Sequence, residues 1–272
     1  MAEFADKYEA LILRRERSRL YVTLNRPEVK NALNPTLIGE LKSVFEILKD
    51  RRDIKVVILR GAGGTFCAGA DLKNMEQSFT DKPKPGEKDP IAVWNRQFGA
   101  FLETLNNTPQ VVVAAVEGYA IAGGFGILCV SDVAICTEGA GFAMTETAIG
   151  IVPAQIAPFV ALRIGVPQTR HLTLTAARFK GAEAVRLGIG HYLVKDSAAL
   201  EVKLEEVLKQ IDKCAPKANA ATKEVVLAVT RMPLHDVLDF AADKFAEARR
   251  GDEAPEGLRA FAEKRPPRWA VS

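Results

Sequence analysis

Two turns in this 272-residue chain place small residues where a strand signal gives way to a helix. In the first, Lys55-Val-Val-Ile-Leu-Arg runs into Gly61-Ala-Gly-Gly and on to Ala68, Gly69 and Ala70. In the second, Gln110 to Glu117 leads to Gly123, Gly124 and Gly126. Small side chains leave backbone N–H groups uncovered, and a helix N-terminus adds partial positive charge. Two such N–H groups converging on one point make an oxyanion hole, in which loss of one donor costs about 10²–10³ in rate. Neither turn is a nucleotide cradle. Phe66 stands where a dinucleotide fingerprint needs its third glycine, and Ala70-Asp71 follows Gly64 to Gly69 where a P-loop needs Lys-Ser/Thr. Either turn alone is explained by close packing; the pair together points to chemistry.

Other chemistries have little material. Cys67, Cys129, Cys136 and Cys214 are widely spaced and form no CxxC; His171, His191 and His235 are scattered, with no HExxH. No metal site and no nucleophile arrangement is expected. Lys plus Arg number 37 against 34 Asp plus Glu, a net charge of +3, and no basic stripe is interleaved with aromatics. Nucleic acid is therefore not an expected partner. The first residues lack the basic start and apolar core of a secretory signal. The apolar stretch Val111 to Cys136 is interrupted by Glu117 and Asp132, leaving too little for the roughly 20 residues of a membrane span. A reduced, cytoplasmic location and no membrane contact are the expectations.

The elements that must position the turns alternate. Tyr8 to Leu13 and Leu20 to Leu24 read as paired strands, with the charged run Arg14 to Arg19 as their turn. Asn34-Pro35 opens a helix whose Leu37, Ile38, Leu41, Val44, Phe45 and Leu48 share a face. Ser78 to Pro90 is a loop, with three prolines and many charges. Trp94 to Asn107 is helical, Gln110 to Glu117 a strand, Gly124 to Val130 a buried helix and Asp132 to Thr137 another strand. From about Ala198 the strand signals stop, and Ala199–Cys214, Ala218–Val229 and Pro233–Arg249 are helical in period. The fold class is α/β, a sheet flanked by helices. The expected division is a core over residues 1–200 and a helical region over 201–272.

The motifs then become specific. Phe66-Cys-Ala-Gly-Ala-Asp-Leu-Lys and Ala115-Val-Glu-Gly-Tyr-Ala-Ile-Ala-Gly-Gly-Phe-Gly resemble the two signature segments of the crotonase (enoyl-CoA hydratase/isomerase) family. Thr23-Leu-Asn-Arg-Pro-Glu, Asn31-Ala-Leu, the segment Phe142 to Pro153, Phe179-x-Gly-x-Glu-Ala and the tail from Glu256 to Trp269 are similar to further family segments in the same order. The resemblance implies a ClpP-like spiral of ββα turns and a C-terminal helical region used in oligomer contacts. It implies a homotrimer or a dimer of trimers, an acyl-CoA thioester substrate, and no cofactor beyond the coenzyme A of that substrate. The oxyanion hole carries over to the N–H groups of Ala70 and Gly123. Ala68, Asp71, Leu72 and Lys73 would line the path of the pantetheine and adenine. Phe261 and Lys264 would reach a neighbouring subunit's coenzyme A.

In the hydratases that the chain resembles, two glutamates flank a water. One matches Glu146, whose neighbours Phe142, Ala143, Met144, Ala148, Ile149 and Ile151 imply apolar surroundings and a raised pKa. The other should stand at Gly126 and is absent. A glycine there is expected to vacate room for a 3-substituent. Single-glutamate relatives include double-bond isomerases, a rival reading. However, Pro153-Ala-x-Ile-x-Pro-Phe-Val looks more like the methylglutaconyl-CoA hydratase branch, which has an extended relative acting on isohexenylglutaconyl-CoA in acyclic terpenoid breakdown. The expectation is a hydratase for branched, 3-substituted enoyl-CoA with Glu146 as acid and base and Gly126 against the substrate. Glu117 is expected to be structural, and Arg163 and Arg170 are candidates for a distal carboxylate by position only. A non-catalytic scaffold or an RNA-binding relative would share the fold, and a thioester hydrolase, a dehalogenase or a ring-closing synthase would share the oxyanion hole.

Overall fold

A computed structural model describes residues 4–5, 7–71, 83 and 86–270. Strands β1 (Leu11–Glu16), β2 (Arg19–Leu24), β3 (Val56–Gly61), β4 (Val111–Val116), β6 (Val133–Thr137) and β9 (Tyr192–Val194) form one six-stranded sheet in the order β1-β2-β3-β4-β6-β9. Only the β1–β2 pair is antiparallel. A smaller sheet joins β5 (Tyr119–Ile121), β7 (Gly141–Ala143) and β8 (Arg178–Lys180). Two successive segments contribute one strand to each sheet and then a helix: β4, β5 and α3 (Gly123–Cys129), then β6, β7 and α4 (Ala157–Ile164). That is the ββα spiral expected from the motifs.

Both faces of the large sheet are apolar, as parallel strands covered on two sides require. Val57, Leu59, Val112 and Ala114 face the front, against α1 (Pro35–Leu48) and α2 (Pro90–Asn106). Asn34 caps α1 by accepting the Leu37 N–H at 2.8 Å, with Pro35 in the first turn, as the sequence predicts. Tyr21, Val56, Ile58, Val113 and Ile135 face the rear, where α7 (Ser197–Asp212) lays down Leu200, Leu204, Val207, Leu208 and Ile211. Arg19 of β2 fixes that helix by ion pairs to Glu205 (2.8 Å) and Asp212 (2.5 Å). The expected division at residue 200 therefore falls inside a helix that closes the core.

Beyond it lie α8 (Pro216–Ala228), α9 (Leu234–Arg250) and α10 (Glu253–Ala262). The Glu253 carboxylate accepts the Lys217 and Ala218 N–H groups at 3.0 Å each, capping α8. Lys223 reaches back to the core, donating to Thr108 O (2.9 Å) and Gln110 O (2.8 Å) and pairing with Asp132 (2.6 Å). Burial pulls the Lys223 pKa down, and Asp132 opposes that pull.

Three boundaries differ from the sequence reading. The first strand starts at Leu11, three residues after Tyr8, and runs through the charged Arg14-Arg15-Glu16; the turn is Arg17-Ser18, with Arg17 at φ +54°. An edge strand can carry these charges because its outer positions face water, and Arg14 stacks over its cross-strand partner Tyr21 at 4.0 Å. Helix α2 begins at Pro90, four residues before Trp94, because Asp89 caps it by accepting the Ile91 and Ala92 N–H groups. The helical stretches read from the sequence end at Arg249, whereas α10 follows with Pro255 in its first turn, a tolerated position. Most of the expected loop Ser78 to Pro90, together with Leu72 and Lys73, lies outside the described residues.

Candidate functional site

The two glycine turns meet. Cys67 forms an isolated parallel bridge with Ala120: its N–H donates to Tyr119 O at 2.7 Å, and Ile121 N–H donates to Cys67 O at 2.9 Å. Three residues on from each partner in this shared register stand Ala70 and Gly123. Gly69, at φ +95°, is what lets the first turn close on the second, since a Cβ there would stand 2.9 Å from Ala122 Cβ. Gly124 lies equally close to Cys67, where a Cβ would stand 2.7 Å from the carbonyl oxygen.

Ala122 completes the geometry. Its φ of +48° with ψ −117° is a strained conformation for a residue with a side chain. The bond from its N–H to Ala143 O (2.9 Å) holds it there and swings the chain so that Gly123 opens α3. A helix's first N–H groups have no acceptor in their own helix. On the other turn, Leu33 N–H donates to Gly69 O (2.7 Å) and Asp71 N–H to Leu33 O (2.9 Å), which leaves the intervening Ala70 N–H out of the ladder. Among the described residues neither Ala70 nor Gly123 donates its N–H to another backbone group.

Glu146 issues from the same end of the small sheet. Ile121 pairs with Ala143, and Glu146 follows three residues later at the start of a 3-10 turn, Glu146–Ile149. Thr147 Oγ1 ties that turn to Thr173 O at 2.7 Å. Glu146 Oε2 is enclosed and accepts no hydrogen bond, a state shared by no other buried side-chain oxygen or nitrogen among the described residues. Burial pushes the Glu146 carboxyl above the usual carboxylate range, opposed by its own backbone N–H. A family model described as enoyl-CoA hydratase/isomerase matches residues 14–271.

The chain belongs to the enoyl-CoA hydratase/isomerase family.

It is 32% identical to the carnitinyl-CoA dehydratase of Escherichia coli K12 over 267 residues, 96% of this chain and 98% of that protein. Its fold matches an enoyl-CoA hydratase/isomerase from Marinobacter aquaeolei with a TM-score of 0.92 and 42% identity, covering 96% of this chain and 99% of that one. It also matches Pseudomonas aeruginosa AtuE with a TM-score of 0.91 and 48% identity, covering 96% and 100%. The protein is thus an enzyme of the enoyl-CoA hydratase/isomerase family.

Within this family member, the other expected residues fare differently. Gly126 does not vacate a space. A Cβ on it would stand 2.5 Å from Ile156 Cγ2 and 3.5 Å from Leu102 Cδ1, so a buried isoleucine fills the side the glycine leaves bare. Asp71 is engaged structurally: Arg26 Nη2 lies 3.1 Å from its carboxylate and also binds Ala32 O through Nη1. Ala68 is half-buried and its N–H donates to Lys30 O at 3.0 Å. Phe261, 86% exposed, and Lys264 lie on the outer surface of this chain. Glu117 is structural as expected, accepting the Ser197 hydroxyl and facing Arg60 at 3.9 Å. Arg163 donates to Ser131 O (2.9 Å), Ile189 O (2.8 Å) and Gly188 O (3.0 Å), so it braces three carbonyls and is not held in reserve for a ligand; Arg170 is exposed.

Three contributors carry no role in the sequence reading. Asn31, fully buried at φ +56°, accepts the Arg26 N–H and donates to Ala62 O and Thr65 O, shaping the first turn from beneath. Its signal was the Asn-Ala-Leu motif, since asparagine tolerates left-handed backbone. Leu33 and Phe98 cover Gly123, at 2.6 and 3.3 Å from where its Cβ would be. Burial pushes the Cys67, Cys129 and Cys136 thiols up to about 12, which keeps them protonated. Among the described residues no group of three or more His, Cys, Asp or Glu gathers to hold a metal, and no helix is long and apolar enough to cross a membrane.

Proposed function

We propose that the enzyme adds water across the 2,3-double bond of an acyl-CoA thioester, and that its substrate is a branched, 3-substituted enoyl-CoA of the methylglutaconyl or isohexenylglutaconyl kind. The observation that carries the reading is Glu146 Oε2, an enclosed carboxylate oxygen with no hydrogen-bond partner among the described residues, at the sheet end where the Ala70 and Gly123 N–H groups donate to no backbone group among those residues. The thioester oxygen sits between the Ala70 and Gly123 N–H groups, which draw electrons from C3. Glu146 takes a proton from water as the water oxygen bonds to C3, and the N–H pair stabilises the enolate oxygen. The same carboxyl then returns that proton to C2, so one H and one OH are added and Glu146 ends ionised. Its raised pKa suits both halves of the cycle.

A second carboxylate at Gly126 has no room beside Ile156, so Glu146 carries both proton transfers in this reading. The branched substrate is supported by the apolar wall of Leu33, Phe98 and Ile156 and by the likeness of Pro153 to Val160 to the methylglutaconyl branch. Water addition is favoured over double-bond migration by the name of the dehydratase relative. In the assembly we propose, a homotrimer or a dimer of trimers, exposed apolar residues of α9 and α10 such as Leu238, Phe245 and Phe261 are covered by neighbouring copies, and Phe261 and Lys264 reach a neighbour's coenzyme A.

The test is a panel of 2-enoyl-, 3-enoyl- and 3-branched glutaconyl-CoA esters, followed by mass spectrometry. A gain of one water on a 2-enoyl ester, greatest for the 3-branched one, is the expected result. A shifted double bond at unchanged mass would replace the reading with an isomerase.

A further inference from the structure

Gly99 lies inside α2, a position where glycine weakens a helix relative to alanine. A Cβ on Gly99 would run into Gln155 Oε1 and stand 3.1 Å from Arg96 Nη1. The Gln155 carboxamide therefore rests on the bare α2 backbone, with the Arg96 guanidinium beside it. Gln155 Nε2 donates to Asn95 Oδ1 at 2.8 Å, which joins the third polar side chain to the group.

This group borders the reacting centre. Gln155 adjoins Ile156, which meets Gly126, and the α2 residues flanking Gly99 touch α3: Phe98 at Gly123 and Leu102 at Gly126. Asn95 and Arg96 thus stand within one helical turn of Phe98, which meets Gly123, and Gln155 rests against Gly99 of the same helix, beside a wall made of Leu33, Phe98, Leu102 and Ile156. Resting on the hydratase reading above, we propose that Asn95, Arg96 and Gln155 form the subsite for a carboxylate at the far end of the acyl chain.

The donors match that ligand. Among the described residues the Asn95 Nδ2 group has no acceptor, and Gln155 Nε2 has a second N–H beyond the one given to Asn95. Arg96 supplies the charge. Its Nη2 holds Glu103 at 2.8 Å in a pair more than half exposed on both sides, and such pairs exchange partners at little cost. Nη1, on the Gln155 side, remains to meet a substrate carboxylate, for which an arginine fork and amide N–H groups are fitting donors. An uncharged acyl end gains nothing from the three.

The experiment compares kcat/KM for 3-methylglutaconyl-CoA and 3-methylcrotonyl-CoA, which differ by the terminal carboxylate, reading product mass in every assay. The wild type should favour the carboxylated ester. Gln155→Leu, Arg96→Ala and Gly99→Ala (which displaces the carboxamide and removes no polar group) should each lower the ratio of the two constants at least tenfold, mainly through KM. Because the readout is a ratio within one variant, a loss of folded protein does not imitate it. An unchanged ratio in all three variants, with water still added, overturns the subsite and leaves the hydratase reading standing. A wild type that adds water to neither ester overturns the hydratase reading and the subsite with it.

Discussion

Ile156 Cγ2 occupies the ground beside Gly126, 2.5 Å from where a Cβ on that glycine would begin. Ile156 is 3% exposed and packs in the main core, so it cannot swing into solvent. Gly126→Glu alone should overpack the site, costing about 1–3 kcal/mol in urea unfolding, with no gain of activity on crotonyl-CoA. Gly126→Glu combined with Ile156→Ala should recover stability and raise crotonyl-CoA turnover relative to the single variant. Equal stability of the single and double variants would show that the two side chains do not compete.

Glu146→Gln keeps the shape of the side chain and removes the proposed proton shuttle. Water addition should fall by about 10²–10⁴ in kcat, with KM for the thioester little changed. Near wild-type turnover on every enoyl-CoA tried would end the assignment of Glu146.

The same carboxyl sets a pH signature. In the proposed reaction Glu146 takes a proton from water and must start ionised, so kcat/KM should drop on the acid side through a midpoint above the ordinary carboxylate range. Stability runs the other way. The native state holds this proton more tightly than the unfolded chain, so the cost of burying the charge is full above the raised pKa. That cost fades as pH falls through it. Glu146→Gln should therefore melt higher than wild type at about pH 8, and the difference should vanish near about pH 4, where both states of the wild type are protonated. A melting difference that does not change with pH would contradict the buried, unpartnered carboxyl.

Gly69→Ala should pry the two turns apart, because its Cβ would meet Ala122 at 2.9 Å from a backbone at φ +95°. A fall in kcat of about 10²–10³ is expected if the Ala70 N–H leaves its place. Gly39→Ala is the control. Nothing lies within 4 Å of its added Cβ in α1, so it should raise stability by about 0.5–1 kcal/mol and leave kcat as it is.

Lys223→Met should cost about 3–5 kcal/mol, since it strips an ion pair from Asp132 and leaves Thr108 O and Gln110 O without their donor. Chemical unfolding measures the loss. A change below 1 kcal/mol, roughly that of an exposed pair, would mean the lysine does not anchor the C-terminal helices.

Local signals in the sequence carried much of this fold. Asn34-Pro35 marked α1 to the residue, and the two glycine turns announced the backbone N–H pair because small residues are needed wherever chains approach closely. The burial of the Glu146 carboxyl was legible through its apolar neighbours. What stayed hidden depends on partners distant in sequence. Ile156 against Gly126, Arg26 on Asp71 and Gln155 over Gly99 join segments 30, 45 and 56 residues apart, and no periodicity reports such meetings. Boundaries failed where polar residues serve as strand or cap, at Arg14 to Glu16 and Asp89-Pro90.

The reliance of the sheet's rear on α7 also bears on how the chain is made. Tyr21, Val56, Ile58 and Val113 have all left the ribosome well before Leu200 to Ile211, their only broad apolar cover among the described residues. At 5–20 residues per second, β4 waits roughly 5–20 s for that helix to be synthesised. During that interval the nascent protein presents a sticky apolar sheet face to the cell. The demand for a chaperone should therefore peak while the ribosome is between β4 and α7, and slowing translation there should increase aggregation of this enzyme more than slowing it after Asp212.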